Sequence, residues 1–308
     1  MKLRFVVLLI TTSIVLSLNT HAQVDVNKTD TLCDNTLDKK KFIILNSAIV
    51  TVGTTSAIVL YHAWYKNYDL TSFHFINDNK EWLQMDKCGH LVSSYAINNA
   101  LYNSYRWTGL DNKKSIIYSS IGSFLTMSTI EFFDGLSAEW GASWGDIAAN
   151  VAGTAVFGFQ QMIWQEQRIK FKISAHLTPY AQHRPDVLGS NFLLRLLKDY
   201  NGQTSWVSVN INSFCKNKSV LPDWLNVAFG YSAKGLIGGY ENPPNLDIDP
   251  KMLDRKRQFV FSLDIDLEKI NTSSKTLNTV LKLVNFIKVP MPAVIMDKDG
   301  VKFSAFYF

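Results

Sequence analysis

The 308-residue sequence lacks the short motifs that mark the common nucleotide-binding and hydrolase sites. It has no Walker loop, no Rossmann glycine fingerprint and no Gly-x-Ser-x-Gly elbow, which argues against those three classes. Its net charge of +5 is small and scattered, so nucleic-acid binding is not indicated. The three cysteines, Cys33, Cys88 and Cys215, match no zinc motif by their spacing. One disulfide with one free thiol and a set of isolated buried thiols both stay open.

The first residues follow the order of an export signal. Lys2 and Arg4 form the charged region, Phe5–Leu18 is the apolar run, and Thr20-His21-Ala22 ends in a small residue. We therefore expect cleavage before Gln23 and a location in the bacterial cell envelope or outside the cell. The residue directly after the cleavage point is Gln23 and not Cys, which disfavours a lipoprotein anchor there. An uncleaved signal anchor is the alternative.

The predicted division of the chain has four parts: a signal peptide at 1–22, a mobile lead-in at 23–41, a helical bundle at 42–168 and an α+β module at 169–308. Four apolar stretches laced with small and polar residues are predicted to be helices, namely Phe42–Tyr65, Gly89–Tyr105, Ser115–Phe133 and Asp146–Trp164. Consecutive helices with short connections predict an antiparallel bundle of about four helices.

The charges that flank these helices bear on the membrane they associate with. With an exported N-terminus, the basic residues Lys39–Lys41 would lie outside the inner membrane and Asp134, Glu139 and Asp146 inside, which opposes the positive-inside rule. We therefore favour a membrane-associated bundle on the periplasmic side, with the outer membrane preferred over the inner. A polytopic inner-membrane protein is the alternative.

The C-terminal part predicts a small antiparallel sheet and an overall α+β class. Strands are predicted over Phe171–Thr178, Ser205–Ser213, Arg257–Leu267 and Val301–Phe308, a helix over Lys275–Lys288, and a short helix or strand from Pro222 to Gly230. In Arg257–Leu267, Phe259 and Phe261 face one way and Ser262 and Asp264 the other. The chain ends in Phe-Tyr-Phe, as outer-membrane strands commonly do. The strand count falls below the usual barrel minimum of about eight, which favours an ordinary edge strand.

Polar side chains bracket three of the predicted helices. They form the patterns Asp86-Lys87-x-x-His90, Glu131-x-x-Asp134 and Trp144-Gly145-Asp146-x-x-x-Asn150. In an antiparallel bundle, the start of the first helix, the end of the second and the start of the third share one end. The side chains predicted to converge there as a candidate catalytic pocket are Lys87, His90, Glu131, Asp134 and Asp146. Further candidate ligand contacts are Ser93, Trp144 and Asn150.

This constellation has a functional and a structural interpretation. As a site, it could hold an anionic headgroup or a divalent metal, for which His90, Glu131, Asp134 and Asp146 are suitable ligand types. As a scaffold, it could fix helix register, with Lys87 paired to Glu131 or Asp134 and His90 bonded to Asp146. The third helix could be capped by Asp146 or by Ser143.

At these residues the sequence resembles the YfiM-like family of predicted bacterial envelope proteins, the domain of unknown function DUF2279. The family pattern is Asp-Lys-x-x-His with a following Ser, then Glu-x-x-Asp, then a Ser-Trp-x-Asp run entering an apolar helix with Gly. This sequence has all three in order, within about residues 80–159, and Gly153 supplies the last. Unlike the short family members, it lacks the lipobox Cys and carries the long C-terminal part. More distantly, the pattern Lys-x-x-His, Glu and Asp-x-x-x-Asn-x-x-Gly resembles the VanZ-like membrane family, which is associated with glycopeptide resistance. Here it is formed by Lys87, His90, Glu131, Asp146, Asn150 and Gly153. The resemblance implies an envelope location and site residues, but no reaction.

Two kinds of function follow from the sequence. The first is a non-enzymatic envelope protein whose bundle binds a lipid, a wall-related ligand or a protein partner. The second is an envelope hydrolase or transferase acting on a lipid or phosphate ester through His90 and the carboxylates. Cys88 is the nearest candidate nucleophile, but its spacing from His90 places the two on different helix faces.

Overall fold

The computed structural model describes residues 36–65, 68–215, 221–244 and 248–308. The predicted signal peptide, Cys33 and most of the predicted lead-in lie outside these residues. In the described part the chain is α+β, with seven α-helices and a six-stranded antiparallel sheet, so the predicted fold class is confirmed.

The chain forms two compact units, and the boundary between them falls within a helix. The helical unit comprises the described residues up to Ile76 together with residues 93–166. The sheet unit comprises Asn77–Val92 and Gln167–Phe308. The first polar motif, Asp86 to His90, therefore belongs to the sheet unit, and the second and third motifs belong to the helical unit.

The four stretches predicted to be helices are helical in the part of the chain that the structure describes. The long helices are α1 Lys39–Leu60, α2 Met85–Trp107, α3 Asn112–Gly135 and α4 Trp144–Ile163, and α1 continues as a wider helical turn at Tyr61–Tyr65. Their boundaries differ from the predicted ones by a few residues because polar side chains set three of the starts. Asp38 caps α1, Asp111 caps α3 and Ser143 caps α4, each accepting a bond from a first-turn N–H group.

Polar bonds join α2, α3 and α4 within the helical unit. The Ser123 hydroxyl donates to the carbonyl of Ser94 at 2.7 Å, and the Asn98 amide donates to the carbonyl of Thr154 at 3.1 Å. Phe42 of α1 lies in ring contact with Tyr105 and Tyr118. Two short strands, β1 Phe75–Ile76 and β2 Ala142–Ser143, pair in parallel. The antiparallel four-helix arrangement itself stays a prediction.

Two of the described helices have the length and composition of membrane spans. They are Lys39–Ile58 within α1, whose apolar window is 6 % buried, and α3, whose window is 33 % buried. Core helices of soluble proteins pass the same test of length and composition, so the observation does not by itself place them in lipid.

The sheet unit is built on six strands that follow one another in sequence order. They are β3 Ile169–Ala175, β4 Gln203–Val209, β5 Leu225–Lys234, β6 Lys256–Ile265, β7 Met291–Asp297 and β8 Gly300–Tyr307. The connections contain α5 Pro185–Leu188, α6 Phe192–Lys198 and α7 Lys275–Val284. The segment that begins at Pro222 contains strand β5, which continues past Gly230. Strand β7, which includes Pro292, is not predicted from the sequence.

The sheet buries its polar side and exposes its apolar side. On β6 the predicted alternation is confirmed, yet Ser262 and Asp264 are buried while Phe259 and Phe261 are exposed. A small core of Trp206, Ala228, Val260, Ala293 and Tyr307 fills the middle of the buried side. Around it lie charged and amide side chains, so this interior is held together by polar bonds as much as by apolar contact.

Candidate functional site

A strained turn starts helix α2 and thereby positions the first motif. Trp82, Leu83 and Gln84 have φ values of 48°, 50° and 68°, a left-handed conformation that non-glycine residues rarely adopt. Contacts within the sheet unit hold it, because the Trp82 N–H donates to the Gly239 carbonyl at 2.8 Å and the Tyr231 hydroxyl donates to the Leu83 carbonyl. Backbone strain of this kind persists where the surroundings enforce it, often beside functional residues.

The first motif is tied to the sheet unit by two side chains that the sequence did not suggest. The Tyr200 hydroxyl donates to Asp86 Oδ1 at 2.7 Å, and Lys87 Nζ lies 2.5 Å from Asp78 Oδ2. The structure thus pairs Lys87 with Asp78, a carboxylate outside the predicted set. His90 follows on the same helix and is 4 % exposed.

Cys88 does not have the properties of a nucleophile. Burial, reinforced by the nearby Asp86 charge, raises the pKa of the Cys88 thiol to about 11. The thiolate is the reactive form, so at neutral pH this cysteine stays protonated and unreactive. Cys88 and Cys215 are both free thiols, which rules out a disulfide between them.

The second and third motifs meet where α3 ends and α4 begins. The Ser143 backbone N–H donates to Glu131 Oε2 at 3.1 Å, and the Ser143 hydroxyl accepts from the Asp146 backbone N–H at 3.2 Å. Ser143 is therefore the cap of α4, and the Asp146 side chain is not used as its own cap. Both carboxylates lie at the N-terminal end of α4, where the helix dipole favours negative charge.

Asp134 is fixed by a tyrosine from the end of α1. The Tyr65 hydroxyl donates to Asp134 Oδ1 at 2.6 Å, and the Tyr65 ring stacks on Phe133 at 5.3 Å between centroids. Tyr65 and Asp134 are each 2 % exposed. This contact joins residues that are 69 positions apart, so no local spacing could have predicted it.

The three further candidates divide by exposure. Ser93 and Asn150 are buried, whereas Trp144 is 65 % exposed. Trp144 stacks face to face on Phe75, with ring centroids 4.3 Å apart and planes 5° from parallel. Trp144 is therefore part of a surface aromatic pair that directly follows the buried Ser143.

Within the helical unit the structure brings Glu131, Ser143 and Asp146 together, with Asp134 one turn beyond Glu131. Lys87 and His90 lie in the sheet unit together with Asp86. The convergence of all five predicted side chains stays a prediction from helix order.

Comparison with protein families gives a match for part of the chain. Residues 73–161 match the model of a family described as "Predicted periplasmic lipoprotein (DUF2279)". Comparisons with curated proteins and with solved structures gave no match. The matched segment contains all three polar motifs and supports a location on the periplasmic side of the cell envelope. Residues 73–161 are thus similar to the DUF2279 family, as the order of the three motifs indicated.

Proposed function

We propose that the protein is a membrane-associated envelope protein, at the outer membrane, whose DUF2279-like segment binds a lipid or wall-related ligand. The carboxylates that would bind it are Glu131, Asp134 and Asp146. The observation that supports this most directly is their burial at a single helix junction, where Ser143 bonds to Glu131 and receives the Asp146 N–H. Buried carboxylates are costly, so a cluster of them in one place suggests a use.

The chemistry of the junction favours a ligand that donates hydrogen bonds. Carboxylates accept hydrogen bonds only, which suits hydroxyl or ammonium groups of a headgroup or sugar. Lys87, the residue expected to attract an anion, is already in an ion pair with Asp78. The exposed Trp144–Phe75 pair offers an apolar platform beside the junction for a sugar ring or an acyl chain.

The proposal is tested by what the protein retains on purification. The mature chain is purified in mild detergent, and its organic extract is analysed by mass spectrometry beside Glu131→Gln and Asp146→Asn. These changes keep the size of the side chains and remove the charge. Asp111→Asn is the matched control, because the Asp111 side chain is 40 % exposed and Asn can fill its capping role.

We expect the wild-type protein and Asp111→Asn to retain the same molecule in stoichiometric amount, and the two junction variants to lose it with melting temperatures near that of the wild type. Equal retention by all four proteins, or retention by none, would contradict the proposal.

A second candidate, an acid/base or metal-dependent hydrolase or transferase acting on a lipid or phosphate ester, is favoured by how completely the carboxylates are buried. Glu131, Asp134 and Asp146 are only 4 %, 2 % and 2 % exposed, which suits a small cation better than a whole headgroup. His90 supplies a buried imidazole in the same family segment. Elemental analysis of wild-type protein, Glu131→Gln and Asp146→Asn distinguishes the candidates. A divalent metal at one equivalent that both variants lose would favour metal-dependent chemistry.

A further inference from the structure

The outer side of the sheet carries a continuous apolar surface. We call it the aromatic face and define it by Phe229, Phe259, Phe261, Met296, Val301 and Phe303. All six side chains are 41 % to 72 % exposed. The strand register makes them neighbours, since Phe229 is opposite Phe261, Phe259 is opposite Met296, and Met296 is opposite Val301.

Outside the small core around Trp206, the opposite side of the same strands is polar and tightly bonded. Lys172 Nζ lies 2.8 Å from Asp264 Oδ2, and the Ser208 hydroxyl donates to the same oxygen at 2.6 Å. Lys170 pairs with Asp266 at 2.8 Å. The Lys172 and Asp264 side chains are 1 % and 0 % exposed, so these charges form the interior of the sheet unit.

This distribution of apolar and polar side chains is the reverse of that expected for a sheet with one face in water. A sheet with one solvated face normally turns its apolar side chains to the core and its polar ones outward. Apolar-outward, polar-inward strands are the pattern of sheets that face lipid. The terminal strand adds to the pattern, because Tyr307 points inward to Thr204 and Ser232 while its neighbour Phe306 is 75 % exposed.

A charged rim at one end of the strands fits the same surroundings. It is formed where β6 begins and where β7 turns into β8, and there Lys256 pairs with Asp299 and Lys298 pairs with Asp254. Charged groups beside an apolar band are suited to the headgroup layer. Helix α7 shows the same preference independently, since Leu277, Val280 and Val284 share one helical face and are all exposed.

We infer that the aromatic face is a lipid-contact surface, covered by the acyl chains of an envelope membrane, with the charged rim at headgroup level. Acyl chains suit the face better than a protein partner because protein interfaces carry about one hydrogen bond per 100–200 Å², whereas the six side chains offer no polar atom. This inference deepens the proposed membrane association and is independent of ligand binding at Glu131.

The test measures what each surface touches in vesicles. Cys33, Cys88 and Cys215 are replaced by Ala in the full-length mature chain. Single cysteines are then introduced as Phe303→Cys and Phe229→Cys on the face and as Lys298→Cys on the rim. Each is labelled with an environment-sensitive fluorophore and reconstituted into phosphatidylethanolamine–phosphatidylglycerol vesicles. Quenching by nitroxides on the acyl chains is compared with quenching by iodide in the buffer.

We expect acyl-chain nitroxides to quench the labels at positions 303 and 229 severalfold more strongly than the label at 298, and iodide to show the opposite order. Strong iodide quenching at 303 and 229 would place the face in water and overturn the inference. Protection of both positions from both quenchers would also overturn it, in favour of a second copy of the chain or another protein. Val301→Cys replaces either face variant that does not fold by circular dichroism.

Discussion

The two compact units bury charge in different ways. In the sheet unit, buried lysines stand beside buried carboxylates, as Lys172 does beside Asp264. In the helical unit, Glu131 accepts a bond from a backbone N–H and Asp134 accepts one from a tyrosine hydroxyl, both neutral donors. The first arrangement neutralises charge and is suited to holding a fold. The second arrangement places Glu131 at the start of helix α4, where the helix dipole favours an anionic group.

The largest expected effect tests whether the sheet network is structural. Asp264→Ala removes the carboxylate beside Lys172 and leaves a buried lysine with one neighbour fewer. Breaking one partner of a buried ion pair costs about 3–5 kcal/mol of unfolding free energy. Denaturation followed by circular dichroism in detergent measures this cost.

The matched control for that variant removes both charges, as Lys172→Met with Asp264→Leu. We expect the double variant to recover most of the lost stability, since an apolar pair of similar volume often substitutes for a buried ion pair. A double variant as unstable as Asp264→Ala would mean that the pair itself, and not the stranded charge, stabilises the sheet.

Lys288 gives a pH-dependent test of the same unit. Burial, together with the Lys172 charge, lowers the pKa of Lys288 to about 8 from its usual 10.5, although Asp264 partly opposes the shift. Between pH 8 and 10.5 the unfolded chain holds more protons than the folded one, so the unfolding free energy should rise with pH in this window. The expected gain is about 3 kcal/mol at about 1.4 kcal/mol per pKa unit.

Lys288→Met isolates that contribution from other groups that titrate in the same range. Its unfolding free energy should change less from pH 8 to 10.5, and it should exceed that of the wild type below pH 8. The Lys288 ammonium lies 4.5 Å from the centre of the Trp206 ring, and loss of this contact offsets part of the gain. Parallel pH profiles for the two proteins would show that Lys288 does not titrate as described.

The fold was predictable for those elements that have a local sequence pattern. Apolar runs with small polar residues located the four long helices, and alternation located β6. Strand β7 was not predicted because it contains Pro292, and a segment with a proline is not usually predicted to be a strand. The side of β6 that is buried was not predictable, because alternation separates Phe259 from Ser262 without saying which faces inward.

The site was predictable in its residue types and only partly in its contacts. The spacing Glu131-x-x-Asp134 and the run Ser143-Trp144-Gly145-Asp146 indicated the helix junction. The contacts of Asp86 with Tyr200 and of Lys87 with Asp78 were not indicated. Tyr200 is 114 positions from Asp86, and Asp78 precedes the helix without helical spacing. Contacts made by tertiary packing leave no periodic signal in one sequence.

A smaller loss of unfolding free energy is expected from substitution of Glu131, which tests whether the carboxylates of the helical unit form a binding site. Glu131→Ala removes the acceptor of the buried Ser143 N–H, and an unsatisfied buried donor costs about 1–3 kcal/mol. Glu131→Gln keeps an acceptor oxygen and should cost less while abolishing the retained ligand. If Glu131→Ala cost as much as Asp264→Ala, the two units would not differ and the carboxylates would belong to a sealed structural network.

The smallest expected loss of stability comes from replacing helix caps, and it tests whether Ser143 is only a cap or also part of the binding site. Ser143 caps α4 and Ser274 caps α7, each by accepting a bond from a first-turn N–H group, so replacing either by Ala should cost about 1 kcal/mol. Only Ser143 lies between the carboxylates, where its hydroxyl accepts from the backbone N–H of Asp146 and so fixes the turn that carries the Asp146 side chain. The bond from the Ser143 backbone N–H to Glu131 remains in the alanine variant. We therefore expect similar small losses of stability from Ser143→Ala and Ser274→Ala, measured by denaturation, but weaker ligand retention from Ser143→Ala alone.

Ser143→Asn restores the cap and should recover stability. If it also restored full retention, cap geometry would be what the ligand requires; equal retention by both alanine variants would remove Ser143 from the proposed site.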